Sequence, residues 1–104
     1  MKGIKKPENF WNKLPKPFFC LAPMYDVTDV AFRQMFARYG KPDVLFTEFV
    51  SADGLASAAG RVKLLRELYF VKNEQPIVAQ LFGSNPETIK TAIKIIKELG
   101  FTGV

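Results

Sequence analysis

The fold is decided by the stretch IVAQLFGSNPETIKTAIKIIKELG, residues 77–100, in which a short apolar run leads into an amphipathic helix. The first six residues are apolar at all but one position, which is typical of a parallel strand that is covered on both faces. Ser84 or Asn85 can cap the helix, and Pro86 suits its first turn. An apolar stripe at helical spacing over residues 89–99 predicts the buried face of the helix.

The same unit recurs towards the N-terminus. Apolar runs at residues 18–22 and 44–47 predict two earlier strands, and the run at 101–104 predicts the beginning of a fourth. Helices are predicted over 28–39, where Thr28 or Asp29 can cap the first turn, and over 61–69. The small residues that separate the second strand from the second helix give no clear pattern. The inward faces expected for these two helices are formed by Phe32, Met35, Phe36 and Tyr39 and by Leu64, Leu65 and Leu68.

Alternation of strand and helix predicts an α/β fold with a parallel sheet, either a doubly wound sheet or a (β/α)8 barrel. The turn after the first strand reads PMYD, residues 23–26, and lacks the glycine-rich pattern of nucleotide-binding doubly wound folds. We therefore expect a partial TIM (β/α)8 barrel, with about three βα units plus the start of strand four. A barrel needs about 250 residues, so we expect a truncated piece with both sheet edges open.

The composition excludes several classes of site. The chain of 104 residues is 48% apolar and has no histidine, so we expect neither a metal site nor triad chemistry. Its one cysteine, Cys20, lies in an apolar run and is expected to be a small core residue in a reducing, cytoplasmic protein. No apolar run reaches the roughly 18 residues of a membrane helix, and we find no export signal.

Charge divides the chain into a basic N-terminal leader, residues 1–17, and a barrel segment, residues 18–104. The leader contains five lysines and Glu8, so it carries most of the net charge of +5. It could steer RNA or simply remain solvated. Phe10, Trp11 and Leu14 are expected to hold it against the body, because they would otherwise stay exposed to water.

Candidate site residues follow the ends of the predicted strands, which in parallel α/β folds lie at one rim. Gln80 is an amide in an apolar strand and needs partners, either a flavin pyrimidine edge or neighbouring strand ends. Glu48 could orient a base or ribose, cap the loop that follows it, or pair with Arg33 or Arg61. Pro23 and Met24 could let backbone groups face a flat cofactor, or form an ordinary turn. Arg33 is expected at the surface or in an ion pair, with a phosphate contact as the alternative.

Three motifs carry a resemblance to a known family. They are LAPMYDVTDVAFR at residues 21–33, FTEFVSA at 46–52 and PIVAQLFGS at 76–84, in the expected order. Together they resemble the opening motifs of tRNA-dihydrouridine synthases. One departure is the pair Tyr25-Asp26, where family members often have Ala-Gly; a bulkier rim there could alter which uridine is admitted.

The resemblance implies an FMN-binding TIM barrel that reduces a uridine of tRNA with NADPH as the reductant. It implies that Pro23, Met24 and Tyr25 contact FMN largely through backbone atoms, and that Gln80 contacts it through its amide. Glu48 is implied to lie near the substrate. The catalytic cysteine of the family motif is expected beyond Val104, so we expect no catalytic residue here and an inactive fragment.

Two other functions remain open from the sequence. One is another FMN-dependent barrel oxidoreductase, similar to dihydroorotate dehydrogenase. The other is a non-catalytic basic module that binds RNA through its charge.

Overall fold

The computed structural model describes residues 9–104. Its elements alternate in the order expected from the sequence, with two short helices between the two regular strands. They are a 3-10 turn at Phe10–Lys13, α1 at Val30–Tyr39, β1 at Leu45–Ser51, α2 at Ala52–Ala56, α3 at Ala58–Glu67, a second 3-10 turn at Lys72–Glu74, β2 at Ile77–Phe82 and α4 at Pro86–Glu98.

β1 and β2 form a parallel pair, which confirms the predicted parallel α/β class. Two further segments extend the sheet through single parallel bridges, Cys20 to Val44 on one side and Gly103 to Val78 on the other. The extended segments 18–22 and 101–104 thus lie where the first and fourth strands were predicted, in chain order. Neither forms a regular strand, since each has only one neighbour among the described residues and is held by a few backbone bonds.

Alternation along β2 separates two faces of the sheet. Ala79 and Leu81 pack on the helices, so Gln80 between them lies on the opposite side, which we call the open face. Seven buried residues make the core on the helix side. They are Val50, Ala52, Leu55, Leu68, Ala79, Ala92 and Ile96.

The β1–β2 register shifts between Phe46 and Phe49, where three residues of β1 span the distance of two in β2. Beyond this irregularity Phe49 pairs with Gln80 and Val50 pairs with Leu81. Phe49 therefore shares the open face with Gln80, and the irregularity sets which side chains reach the end of the sheet.

Two helices begin at caps that the sequence predicted. The Asp29 carboxylate accepts the Phe32 N–H at 2.8 Å and starts α1. The Asn85 side chain accepts the Glu87 N–H at 2.9 Å and starts α4, with Pro86 in its first turn. The alternative cap at Ser84 is not used.

The unassigned segment after β1 is helical. Ser51 caps α2, and α3 begins three residues earlier than predicted and ends two residues earlier. The two helices approach closely at Gly60, where an added Cβ would lie 2.5 Å from the Gly54 carbonyl oxygen. Small side chains there permit the contact, which is why this stretch lacked an amphipathic pattern.

The apolar face predicted for α1 is wrong in part, because Met35 and Tyr39 are largely exposed. Leu65 of α3 was also expected to point inward and is more than a third exposed. Among the described residues α1 packs mainly against the Lys72–Glu74 turn. Its outer side borders the open edge of the sheet at residues 18–22, so burial there needs a further element.

The part of the leader that the structure describes packs on the open face, as expected. The Trp11 ring lies 5.6 Å from that of Phe18 and 6.4 Å from that of Phe46, and Phe10 contacts Gly103. Leu14 is half-buried. The expectations for Lys2, Lys5, Lys6 and Glu8 concern positions outside the described residues.

Within residues 9–104, none of the helices is both long and apolar enough to cross a membrane.

Candidate functional site

The turn at residues 23–26 and the carboxyl ends of β1 and β2 meet at one rim of the sheet. The Asp26 N–H donates to the Glu48 carboxylate, which joins the turn to β1. The Gln80 N–H donates to Thr47 Oγ1 at 3.3 Å, which joins β2 to β1 at the same level. The structure therefore brings the predicted turn, Glu48 and Gln80 together.

Glu48 has an observed structural contact. It is half-buried, and its carboxylate accepts a backbone N–H from the turn. The expectation that Glu48 caps the loop that follows it is wrong, since its described partner is the turn at residues 23–26, and neither Arg33 nor Arg61 pairs with it.

Thr28 holds the turn from the other side. It is fully buried, and its hydroxyl accepts the Met24 N–H at 3.1 Å and lies 3.2 Å from the Met24 carbonyl oxygen, to which it donates. The N–H groups of Val27 and Thr28 also donate to that carbonyl, at 3.1 and 3.0 Å. Because its backbone groups are fixed in this way, the turn presents a defined surface in which Met24 and Tyr25 are exposed.

The Gln80 side chain is exposed on the open face. Within residues 9–104 its amide makes no side-chain hydrogen bond, so it does not join strand ends as the alternative interpretation required. An amide in this position can donate two hydrogen bonds and accept others from a ligand on the open face.

Three aromatic rings, one from each of the three strand ends, form what we call the rim cluster: Tyr25, Phe49 and Phe82. The Tyr25 ring stacks on Phe49 with centroids 5.0 Å apart and an interplanar angle of 23°. Phe82 meets Phe49 edge-on at 5.4 Å and 83°. The sequence singled out only Tyr25, because the register of β1 that exposes Phe49 depends on the irregularity in the sheet.

Arg33 is fully buried, and the expectation that it could lie at the surface is wrong. Its Nε donates to Glu74 Oε1 at 2.5 Å, which makes the buried ion pair that was the other expectation. Its terminal nitrogens donate to the carbonyl oxygens of Thr28 at 2.6 Å and Tyr69 at 2.8 Å. The sequence did not single out Glu74, because it lies in a polar stretch that predicts a solvent-exposed turn.

Cys20 is exposed, which corrects the expectation that it is a core residue. It lies in the outermost segment of the sheet, where the described residues cover only one side. Partial burial of the sulfur, and secondly the negative charge of Asp43, raise the pKa of the Cys20 thiol above its ordinary value. Because the thiolate is the nucleophilic form, this raised pKa lowers the reactivity of the Cys20 thiol.

Comparison with known proteins accounts for these motifs. The family model described as dihydrouridine synthase (Dus) matches residues 20–104, which is most of the chain. The chain belongs to the dihydrouridine synthase family.

Relatives within this family align over nearly the whole chain. A probable tRNA-dihydrouridine synthase 2 of Bacillus subtilis (strain 168) is 46% identical over 97 residues. A probable tRNA-dihydrouridine synthase of Staphylococcus aureus (strain COL) is 44% identical over 98 residues. Each alignment covers 93% of this chain and 30% of the relative, so the chain spans about a third of their length. No solved structure matched the chain.

The family departure at Tyr25-Asp26 has a backbone explanation at its second position. Asp26 has a φ of +59°, in the left-handed region that glycine enters freely and aspartate tolerates. Aspartate at position 26 therefore keeps the backbone conformation that glycine would adopt, whereas Tyr25 adds an aromatic ring.

Within residues 9–104, no three His, Cys, Asp or Glu side chains lie close enough together to hold a metal ion.

Proposed function

We propose that the protein to which this chain belongs reduces a uridine of tRNA to 5,6-dihydrouridine, with FMN as cofactor and NADPH as reductant. The chain supplies about three βα units of a TIM (β/α)8 barrel and one part of the cofactor site. Family membership supports the reaction, and the names of its relatives support tRNA as the substrate. The observation that carries the site is the Gln80 amide, exposed and without a partner among residues 9–104, beside a fixed turn.

Both lateral sides of the sheet support the barrel. On the side of segment 18–22, an apolar groove runs along Met35, Phe36 and Tyr39. On the side of segment 101–104, a second apolar groove runs along Ile93 and Phe101. Parallel sheets are covered on both faces, and further βα units packed at these two grooves would close the sheet into a barrel.

The residues at the rim fit a flavin. The pyrimidine edge of FMN offers N–H and C=O groups, which the Gln80 amide can match with its donors and acceptor. Pro23, Met24 and Tyr25 present a turn whose backbone is fixed by Thr28 and Glu48, and the exposed Met24 thioether suits contact with a flat ring. When bound, FMN supplies the hydride for the uridine double bond.

In this proposal the residues of this chain bind and orient the cofactor, and none of them is assigned the proton transfer. Glu48 holds the turn in place by accepting the Asp26 N–H, and we assign it no direct contact with the substrate. Cys20 lies in the outermost segment with a raised thiol pKa, and we do not assign it the family's catalytic role. By resemblance, that role belongs to a cysteine in a motif that follows the fourth strand.

The proposal is tested with the protein expressed at the full length that its gene encodes. Gln80→Leu removes the amide and keeps the bulk, and loss of one or two hydrogen bonds weakens FMN binding about tenfold, since these contribute about 1–2 kcal/mol. Gln34→Leu is the matched control, because its amide bonds Asn73 on the surface of α1, away from the rim. FMN affinity is measured by fluorescence titration of apoprotein.

The reaction is tested in cells. Deletion of the gene removes dihydrouridine from specific tRNA positions, read by mass spectrometry, and the wild-type gene restores it. NADPH and NADH are compared as reductants by flavin bleaching. A colourless wild-type protein that does not bind FMN, or tRNA with unchanged dihydrouridine at every position, refutes the proposed function.

A further inference from the structure

The rim cluster is exposed where apolar side chains are normally covered. Tyr25 is 67% exposed, Phe82 51% and Phe49 39%, although all three rings contact one another. They come from three separate strand ends and converge at the same rim as Gln80. A contiguous exposed aromatic patch is typical of a binding surface.

The geometry of the cluster matches a planar ligand. Tyr25 and Phe49 already form a stack of two rings, and the two-thirds exposure of Tyr25 leaves that stack with a free end. Phe82 closes one side of it at nearly a right angle. A third flat ring can continue such a stack without rearranging the two rings that are present.

Charge beside the cluster favours a planar ligand that carries phosphate, as a nucleotide does. A groove of about 290 Å³ lies along the cluster and is lined by Lys63 and Glu67 of α3. Lys63 forms no ion pair within residues 9–104, so its ammonium group can meet a phosphate, although Glu67 reduces the local positive charge. An aromatic stack beside a cation is how single-stranded nucleic acids are held without base-specific contacts.

We propose that the rim cluster is a stacking platform for a base of the RNA substrate, with Tyr25 as the outer ring. This inference rests on the proposed function and goes beyond it, since it gives the Tyr25 side chain a role in RNA binding that is separate from its backbone contact with FMN. Phe49 is the register partner of Gln80. The platform therefore adjoins the cofactor surface on the open face.

Tyr25→Leu tests the platform in the protein at its full natural length, with Tyr25→Phe as the matched control that keeps the ring. Loss of one stacked base predicts about 5- to 150-fold weaker binding of an unmodified tRNA transcript to the leucine variant. The phenylalanine variant binds within about twofold of wild type, because the hydroxyl has no part in stacking. FMN content is measured on both variants, so that a change in cofactor binding is separated from a change in RNA binding.

A second readout separates stacking from charge. Wild type binds an oligouridylate more tightly than an abasic oligomer of the same length, and Tyr25→Leu loses this preference. Phe82→Leu, which alters the edge-on ring and leaves the turn intact, reduces the same preference and keeps the test valid if the Tyr25 variant misfolds.

Four outcomes overturn the platform. The first is wild-type RNA affinity in Tyr25→Leu with FMN retained. The second is loss of FMN in that variant, which assigns the ring to the cofactor. The third is lowered stability with unchanged RNA affinity, which assigns the cluster to packing against another part of the chain, and the fourth is loss of self-association alone, which assigns it to a second copy. If wild-type protein binds FMN and no tRNA, the proposed substrate fails, and the platform fails with it.

Discussion

Replacement of Arg33 by methionine removes one half of a fully buried ion pair and should strongly destabilise the protein. The guanidinium donates three hydrogen bonds, to Glu74, Thr28 and Tyr69. Without it, Glu74 stays buried with only the Val71 N–H, at 2.6 Å, as a described partner. Removal of one partner from a buried ion pair costs about 3–5 kcal/mol, a large part of the usual stability of a domain.

Companion variants divide this loss into its causes. Arg33→Lys keeps the positive charge, so it should lower the free energy of unfolding less than Arg33→Met does. It should still lower it, because an ammonium group lacks the planar geometry to reach all three acceptors. The double variant Arg33→Met, Glu74→Gln removes the stranded charge and should recover about 0.5–3 kcal/mol relative to additivity. Arg38→Met is the matched control on the same helix; its side chain is exposed, and the change should stay within about 0.5 kcal/mol.

The assay is urea unfolding followed by circular dichroism on the protein at its full natural length. FMN affinity is measured on the same variants, because Arg33 bonds the Thr28 carbonyl and the Thr28 hydroxyl fixes Met24. We expect Arg33→Lys to weaken FMN binding even under conditions where it is fully folded. An Arg33→Met variant within about 1 kcal/mol of wild type, or a double variant worse than the sum of its parts, refutes the reasoning.

Three further predictions follow from single positions. Gly60→Ala should lower the free energy of unfolding by about 1–3 kcal/mol, because the added Cβ would meet a backbone carbonyl. Gly40→Ala, which has open space around it, should leave stability nearly unchanged, and thermal unfolding compares the two variants. Asp26→Gly should keep stability and Asp26→Val should lose about 1–2 kcal/mol, since φ there is positive; equal unfolding midpoints contradict this. Cys20 should react with iodoacetamide more slowly in the folded than in the denatured protein, because its raised pKa leaves less thiolate. Asp43→Asn should speed the reaction of the folded protein, and an unchanged rate would show that the Asp43 charge has no effect.

Local patterns fixed most of the order of elements. The caps at Asp29 and Asn85 were predicted because a capping side chain acts within three residues of itself. The four extended segments were predicted because parallel strands are nearly continuous apolar runs. The family motifs added the positions of the turn and of Gln80, since they are contiguous in sequence.

Long-range geometry decided the rest. Arg33 and Glu74 lie 41 residues apart, and neither residue type nor spacing shows that one is buried against the other. Met35 looked like a core residue because helical periodicity identifies an apolar face but not whether a neighbouring element covers it. Cys20 was misplaced for the same reason, at the outer edge of the sheet.

By itself, the sequence determined the parallel α/β class, the family and the three strand ends that carry the proposed site, because these depend on short contiguous patterns. Only the tertiary structure decided that Glu48 fixes the turn at residues 23–26, that a shift in register places Phe49 beside Gln80, and that three rings meet at the rim. Each of these depends on how one strand slides against its neighbour, and that alignment is set by packing across the sheet and not by any local run of residues.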